Sequence, residues 1–71
     1  MNYDHKMMAA QLDATAQNLT YHGNALYTAM DLPFLNNVDR AVLTRYLIGN
    51  LLPEDHISLH EIAIKIRNYN G

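Results

Sequence analysis

The chain has 71 residues, no cysteine, and a formal net charge of −2 from five basic and seven acidic residues. These values exclude disulfides and thiolate metal sites, and they offer little of the basic surface that nucleic-acid binding requires. Because 49% of the residues are hydrophobic and only 17% are charged, the composition is that of one folded domain. A domain of this size is marginally stable, so close helix packing or a partner subunit is expected.

The N-terminal sequence predicts a cytoplasmic protein. It reads MNYDHK and lacks the basic and apolar regions of a secretory signal. No apolar run approaches the roughly 20 residues that a helix needs to cross a bilayer, so no membrane association is expected.

The first predicted element is a long helix over about residues 3–31. Within the stretch 2–30, apolar and small residues recur with alternating spacings of three and four, which is typical of a helix that packs against other helices. We therefore predict a homodimer interface on this helix, and its parallel or antiparallel arrangement stays open. The predicted interface residues are Leu12, Ala16, Leu19, Gly23, Leu26 and Met30.

The length of this helix leaves two alternatives open. About 28 residues would extend roughly 42 Å, whereas a compact chain of this size is only about 30 Å across. The helix either stays continuous and dimerises, or breaks near Gly23 into a hairpin that closes within a monomeric bundle. Because Gly23 falls in register with Ala9 and Ala16, we favour the continuous helix.

The middle of this helix carries no charge. Asp13 and Asp31 enclose a stretch without Asp, Glu, Lys or Arg. Tyrosine and uncharged polar residues there are typical of a surface that another chain covers. The candidate surface for a protein partner comprises Tyr21, Tyr27, Arg40 and Arg45.

A second helix is predicted over about 37–48. Pro33 ends the first helix, and Phe34 in the connector is expected in the core. Asn36 or Asn37 supplies the N-cap, and Gly49 ends the helix.

A third helix is predicted over about 58–69. Ser58 and Glu61 form the pattern of a capping box, with Ile57 and Ile62 as the hydrophobic staple around it. The isoleucines that follow also alternate with strand periodicity, but the capping signals favour a helix.

No group of residues points to catalysis, a cofactor or a metal. His56 and His60 are four apart, but a cap at Ser58 would leave His56 outside the helix, so the two would not share a face. Ser58 is the only serine and is explained as a cap, and the chain is too short to enclose a pocket of ~300 Å³ beside a core. We therefore predict a protein that is not an enzyme, and leave open whether the two histidines bind metal.

Residues 57–66, ISLHEIAIKI, resemble the first helix of a helix-turn-helix unit. In that family the next element is a recognition helix that enters the major groove of DNA. Here the sequence ends at Gly71, where that helix would begin, so no DNA-contacting residue is assigned. The resemblance implies an alternative function, a DNA-associated transcriptional accessory protein.

These predictions combine into one hypothesis. The fold is all-α, with one long N-terminal helix, two short helices folded back along it, and a dimeric bundle. The function is that of a non-enzymatic protein–protein interaction module that acts as a homodimer, such as an adaptor, an inhibitor or a regulatory accessory protein. A small chain without familiar motifs also suits an accessory protein of a phage or other mobile element.

Overall fold

The computed structural model describes residues 4–69 and contains four α-helices and no strand within that range. They are α1 (His5–Ala16), α2 (Gly23–Ala29), α3 (Asn37–Ile48) and α4 (Asp55–Asn68). The prediction of an all-α protein is therefore confirmed. The radius of gyration is 10.7 Å, and the principal extents are 30 × 24 × 19 Å.

Helices α1 and α4 share the most extensive contact in the bundle and pack antiparallel along each other. The His5 ring at the start of α1 lies 5.8 Å from the Tyr69 ring at the end of α4. At the other end, the carbonyl oxygen of Ala16 lies 2.9 Å from Nδ1 of His56 in the first turn of α4. The last turn of α1 and the first turn of α4 therefore lie at the same end of the molecule.

Helix α3 is also antiparallel to α4. Asp39 in its first turn bonds Lys65 near the end of α4, and Arg45 in its last turn bonds Asp55 at the start of α4. The carboxyl ends of α1 and α3 and the first turn of α4 therefore come together.

The predicted continuous helix is wrong, because the structure ends α1 at Ala16 and begins α2 only at Gly23. The predicted start near residue 3 lies outside the described residues. Asn18 adopts a left-handed backbone conformation with φ of 59°. The N–H of Leu19 bonds the carbonyl of Ala14, and that of Asn18 bonds the carbonyl of Thr15. This is the Schellman pattern of a helix C-terminus, and asparagine tolerates its left-handed position.

Thr15 holds the turn that follows α1. Its hydroxyl lies 3.0 Å from the Gln11 carbonyl oxygen and 3.1 Å from that of Thr20, and it accepts from the N–H of His22 at 3.1 Å. The chain therefore reverses at residues 17–22, a few positions before the hairpin that the sequence suggested as the alternative.

The predicted dimer-interface residues do not share one face. Leu12 and Leu26 have no exposed surface and belong to the protein's own core. Ala16 and Met30 are partly buried against the same core. Leu19, in the turn, is 71% exposed. The apolar spacing continued across the turn because two separate helices each contribute to one core.

Gly23 is the first residue of α2 and not a point of contact between long helices. A Cβ atom placed there would lie 2.9 Å from a ring carbon of Tyr21 in the same chain. The absence of a side chain at this position therefore leaves room for the Tyr21 ring.

Helix α3 spans the range that the sequence predicted. Asn36 caps it, with its side chain accepting from the Asp39 N–H at 2.8 Å while the Asp39 carboxylate accepts from the Asn36 N–H. Gly49 ends it with φ of 74°, in the left-handed region that glycine adopts without strain. Phe34, expected in the core, is only partly buried and stacks on Tyr69.

Helix α4 begins one turn earlier than predicted, and Ser58 does not cap it. The helix starts at Asp55, with Glu54 at the cap position and no side-chain capping bond there. Asp55 accepts from the N–H of Leu52 at 2.9 Å and from Arg45, which fixes the first turn ahead of Ser58.

Candidate interaction surfaces

Two segments without charged residues meet at one end of the bundle. The first comprises residues 14–30, and the second comprises residues 46–53 between Arg45 and Glu54. Because α1 and α3 both end here, the turn after α1 lies beside the last turn of α3 and the loop that follows it. We call the part where they meet, residues 15–21 and 46–51, the uncharged end; Glu54 and the Arg45–Asp55 pair border it.

A groove of about 540 Å³ runs between these two segments. We call it the end groove. Two threonines, an asparagine and a glycine contribute to its wall, and none of its lining residues is charged. Its aromatic and aliphatic lining residues are Tyr21, Tyr46, Leu47, Ile48 and Leu51.

Three of the five aromatic and aliphatic side chains of the groove are open to solvent. Ile48 is 67% exposed and Tyr21 is 59% exposed, and Leu51 is also exposed. Single exposed apolar residues are ordinary, whereas several that line one depression are typical of interaction surfaces.

Tyr46 forms the base of the groove and is held by His56. Nδ1 of His56 lies 2.8 Å from the Tyr46 hydroxyl and 2.9 Å from the Ala16 carbonyl oxygen, so this one nitrogen joins α1, α3 and α4. Burial raises the pKa of Tyr46 above its ordinary value of 10.0, so its hydroxyl stays neutral. The groove base therefore adds no charge to this end.

The Arg45–Asp55 ion pair joins the last turn of α3 to the start of α4. It therefore fixes the loop between these helices, which contributes to one wall of the end groove. Nε and Nη2 of Arg45 each lie 2.8 Å from a different oxygen of Asp55, whose side chain has no exposed surface. The Arg45 guanidinium holds the pKa of Asp55 at about 2, and the Leu52 N–H acts in the same direction. Because each charge neutralises the other, the neighbouring groove keeps its uncharged character.

The predicted partner surface is not one surface. Of its four residues, only Tyr21 lines the end groove, while Tyr27 is exposed elsewhere on α2. Arg40 donates to the carbonyl oxygens of Met30 and Leu32, at 3.1 and 2.9 Å, and so holds the end of α2. Arg45 is bonded to Asp55 as described above.

The residues that the sequence analysis missed are Leu47, Ile48 and Leu51. A signal for them was present, because they lie in the second charge-free stretch. That stretch is short and contains the predicted end of the second helix at Gly49, whereas its role depends on its position beside the turn after α1.

Four of the five basic residues have acceptors within the chain, and the fifth, Lys6, is exposed. Besides Arg40 and Arg45, Lys65 bonds Asp39 at 2.6 Å and Arg67 bonds Asp13 at 2.8 Å. Binding to nucleic acid depends on cations that are available to phosphates, and this arrangement does not favour it.

His56 and His60 contact different residues. Nδ1 of His60 lies 2.8 Å from Asp13, whereas Nδ1 of His56 faces Tyr46 and Ala16. Across residues 4–69, no three or more His, Cys, Asp or Glu side chains come together in a way that could hold a metal ion.

No helix in the described part of the chain has the length and apolar character to cross a membrane. Comparisons with protein-family models, with curated proteins and with solved structures found no match to this chain.

Proposed function

We propose that the protein is a non-enzymatic protein–protein interaction module, of the adaptor, inhibitor or regulatory accessory kind. Its end groove binds an apolar, uncharged segment of another protein. The observation that carries this proposal is the meeting of two charge-free segments at one end of a small bundle, where they expose aromatic and aliphatic side chains.

The chemistry of the groove selects its occupant. A charged side chain placed against Tyr21, Ile48 and Leu51 would lose its water without gaining a counter-ion, which is costly. An apolar segment would instead bury the exposed side chains, and the exposed polar groups of Asn18 and Tyr21 would bond its polar atoms. The apolar face of a helix or a short apolar loop has this character.

Peptide selection tests this proposal even while the natural partner is unidentified. A random peptide library is selected on the purified protein, and the affinities of individual synthetic peptides are then measured by calorimetry. We expect apolar peptides of low charge, whose affinity falls at least roughly tenfold for Ile48→Asp, because the substitution places a carboxylate in the groove.

Val38→Asp is the matched control. Val38 is as exposed as Ile48 but lies in the first turn of α3, at the other end of that helix. Peptides should bind this variant as tightly as the wild type. Peptides that bind Ile48→Asp with unchanged affinity, or a selection dominated by charged peptides, would contradict the proposal.

A further inference from the structure

We infer that the protein forms a homodimer through the outer face of α4, with a second copy of the chain lying antiparallel across it. This face is separate from the end groove, and a second copy of α4 is the occupant to which its apolar and charged groups are complementary.

The outer face of α4 carries a row of exposed residues, two of them isoleucines, that the core does not use. Ile57, Glu61, Ile64 and Asn68 are spaced by four, three and four residues and lie opposite the buried face of the helix. Ile57 is 66% exposed and Ile64 is 40% exposed. Spacing of this kind is typical of a helix that packs against another helix.

A depression of about 630 Å³ lies beside this row. Ile64 forms part of its wall together with Phe34 and Tyr69, whose rings stack at 3.9 Å with 13° between their planes. Tyr69 remains exposed although it is stacked. A rigid aromatic pair at the edge of an open depression suits an apolar side chain from outside.

The charges on the same face are only partly matched within the chain. Glu61 and Lys65 are one turn apart and would form a favourable pair on an isolated helix. Instead, Nζ of Lys65 lies 2.6 Å from Asp39, and Glu61 forms no ion pair with another residue of the described range 4–69. The Lys65 side chain is 46% exposed, and its ammonium group has two further hydrogens to donate.

A dimer with one two-fold axis accommodates both the apolar and the charged groups of this face. An axis level with Ala63 lies midway between Glu61 and Lys65, so it brings each of them opposite the other residue type of the second copy. The same axis brings Ile57, in the first turn of α4, level with the C-terminal end of α4 in the second copy, where Asn68 and Tyr69 line the depression. A parallel arrangement would instead place like charges together. The face is therefore self-complementary, as a symmetric dimer requires.

Charge exchange tests this geometry. Glu61→Lys makes both interfacial charges positive, and Lys65→Glu makes both negative, so each variant should dimerise at least roughly tenfold more weakly than the wild type at low salt. An equimolar mixture of the two should form a heterodimer about as tight as the wild-type dimer, because every contact is again between opposite charges. The measurement is sedimentation equilibrium from about 10 μM to about 1 mM, a range suited to a small interface.

The wild type is expected to approach twice its monomer mass of 8.1 kDa within that range. A wild type that stays at 8.1 kDa throughout overturns the inference, as does a mixture that associates no better than the separate variants.

Lys65→Glu also removes the ion pair with Asp39 and could unfold the protein. In that case Ile64→Asp provides the decisive variant. The Ile64→Asp variant should be monomeric where Val38→Asp is dimeric, at equal helix content by circular dichroism. Ile48→Asp should also remain dimeric, since its side chain lies in the end groove. These results would show that dimerisation and peptide binding use different surfaces. The α4 interface would be overturned if Ile48→Asp were monomeric and Ile64→Asp remained dimeric.

Discussion

At the scale of single residues, the Arg45–Asp55 pair links the fold to the end groove. A buried carboxylate loses its hydration and needs compensating bonds. Asp55 receives two from the guanidinium of Arg45 and one from the N–H of Leu52. These bonds start α4 one turn before Ser58 and fix the loop that contributes Leu51 to the groove wall. The pair therefore has a structural role, although the sequence suggested that Arg45 belonged to a partner surface.

Asp55→Asn should destabilise the protein and remove part of its acid sensitivity. The pKa of Asp55 is lowered from its ordinary value of 3.8 to about 2. Its contribution to the free energy of unfolding is thus complete above about pH 4 and is lost as the pH falls toward 2. At neutral pH we expect a loss of about 2 kcal/mol, the scale of a charge-assisted hydrogen bond. Urea denaturation as a function of pH measures both effects.

Asp31→Asn is the control for this substitution, since Asp31 is exposed. This variant should follow the wild-type pH dependence. If Asp55→Asn lost stability between about pH 4 and pH 2 as steeply as the wild type, the ion pair would not be responsible.

At the scale of elements, local signals predicted the ends of α3 correctly but placed the start of α4 one turn too late, and apolar periodicity predicted continuity badly. The bounds of α3 follow from Asn36 and Gly49, whose effects depend on a few neighbouring residues. The apolar periodicity that joins Leu12 to Leu26 has a different origin, because the two residues lie on different helices that face one core. Nothing in the spacing distinguishes that case from one long helix, and the left-handed Asn18 is not a strong signal in sequence.

Substitutions at Asn18 distinguish the two structures by the sign of their effects. In the observed turn, Asn18→Ala should cost about 1 kcal/mol because alanine disfavours the left-handed conformation, and Asn18→Gly should be within about 0.5 kcal/mol of the wild type. A continuous helix would reverse the order, with alanine the more stable and glycine the less stable by about 1 kcal/mol. Chemical denaturation of the two variants measures the order. Asn24 lies on the exposed face of α2, and the same alanine and glycine substitutions there should show the helical order, with alanine the more stable. This position serves as the reference.

At the scale of the whole molecule, the end groove forms only when the helices of the chain pack together. The sequence indicated an uncharged surface and Tyr21 within it, because absence of charge is visible in a linear stretch. It did not indicate Ile48, because the turn after α1 and the last turn of α3 become neighbours only when α1 and α3 both run antiparallel to α4. The exposed row on α4 was also hidden, since Ile57 was interpreted as a staple residue of a cap at Ser58.

Leu12 and Leu19, which are seven residues apart, give the broadest test of how the four helices pack. Leu12→Ala should cost about 3 kcal/mol, since it empties a fully buried site, out of a total of roughly 4–10 kcal/mol for a chain of this length. Leu19→Ala, one heptad further along, should stay within about 0.5 kcal/mol of the wild type because its side chain is largely exposed. The two variants have the same chemistry, so urea denaturation followed by circular dichroism compares burial alone. In a dimer built on one long helix the two leucines would be equivalent. Equal losses of the free energy of unfolding in the two variants would therefore support that dimer and refute the bundle described here.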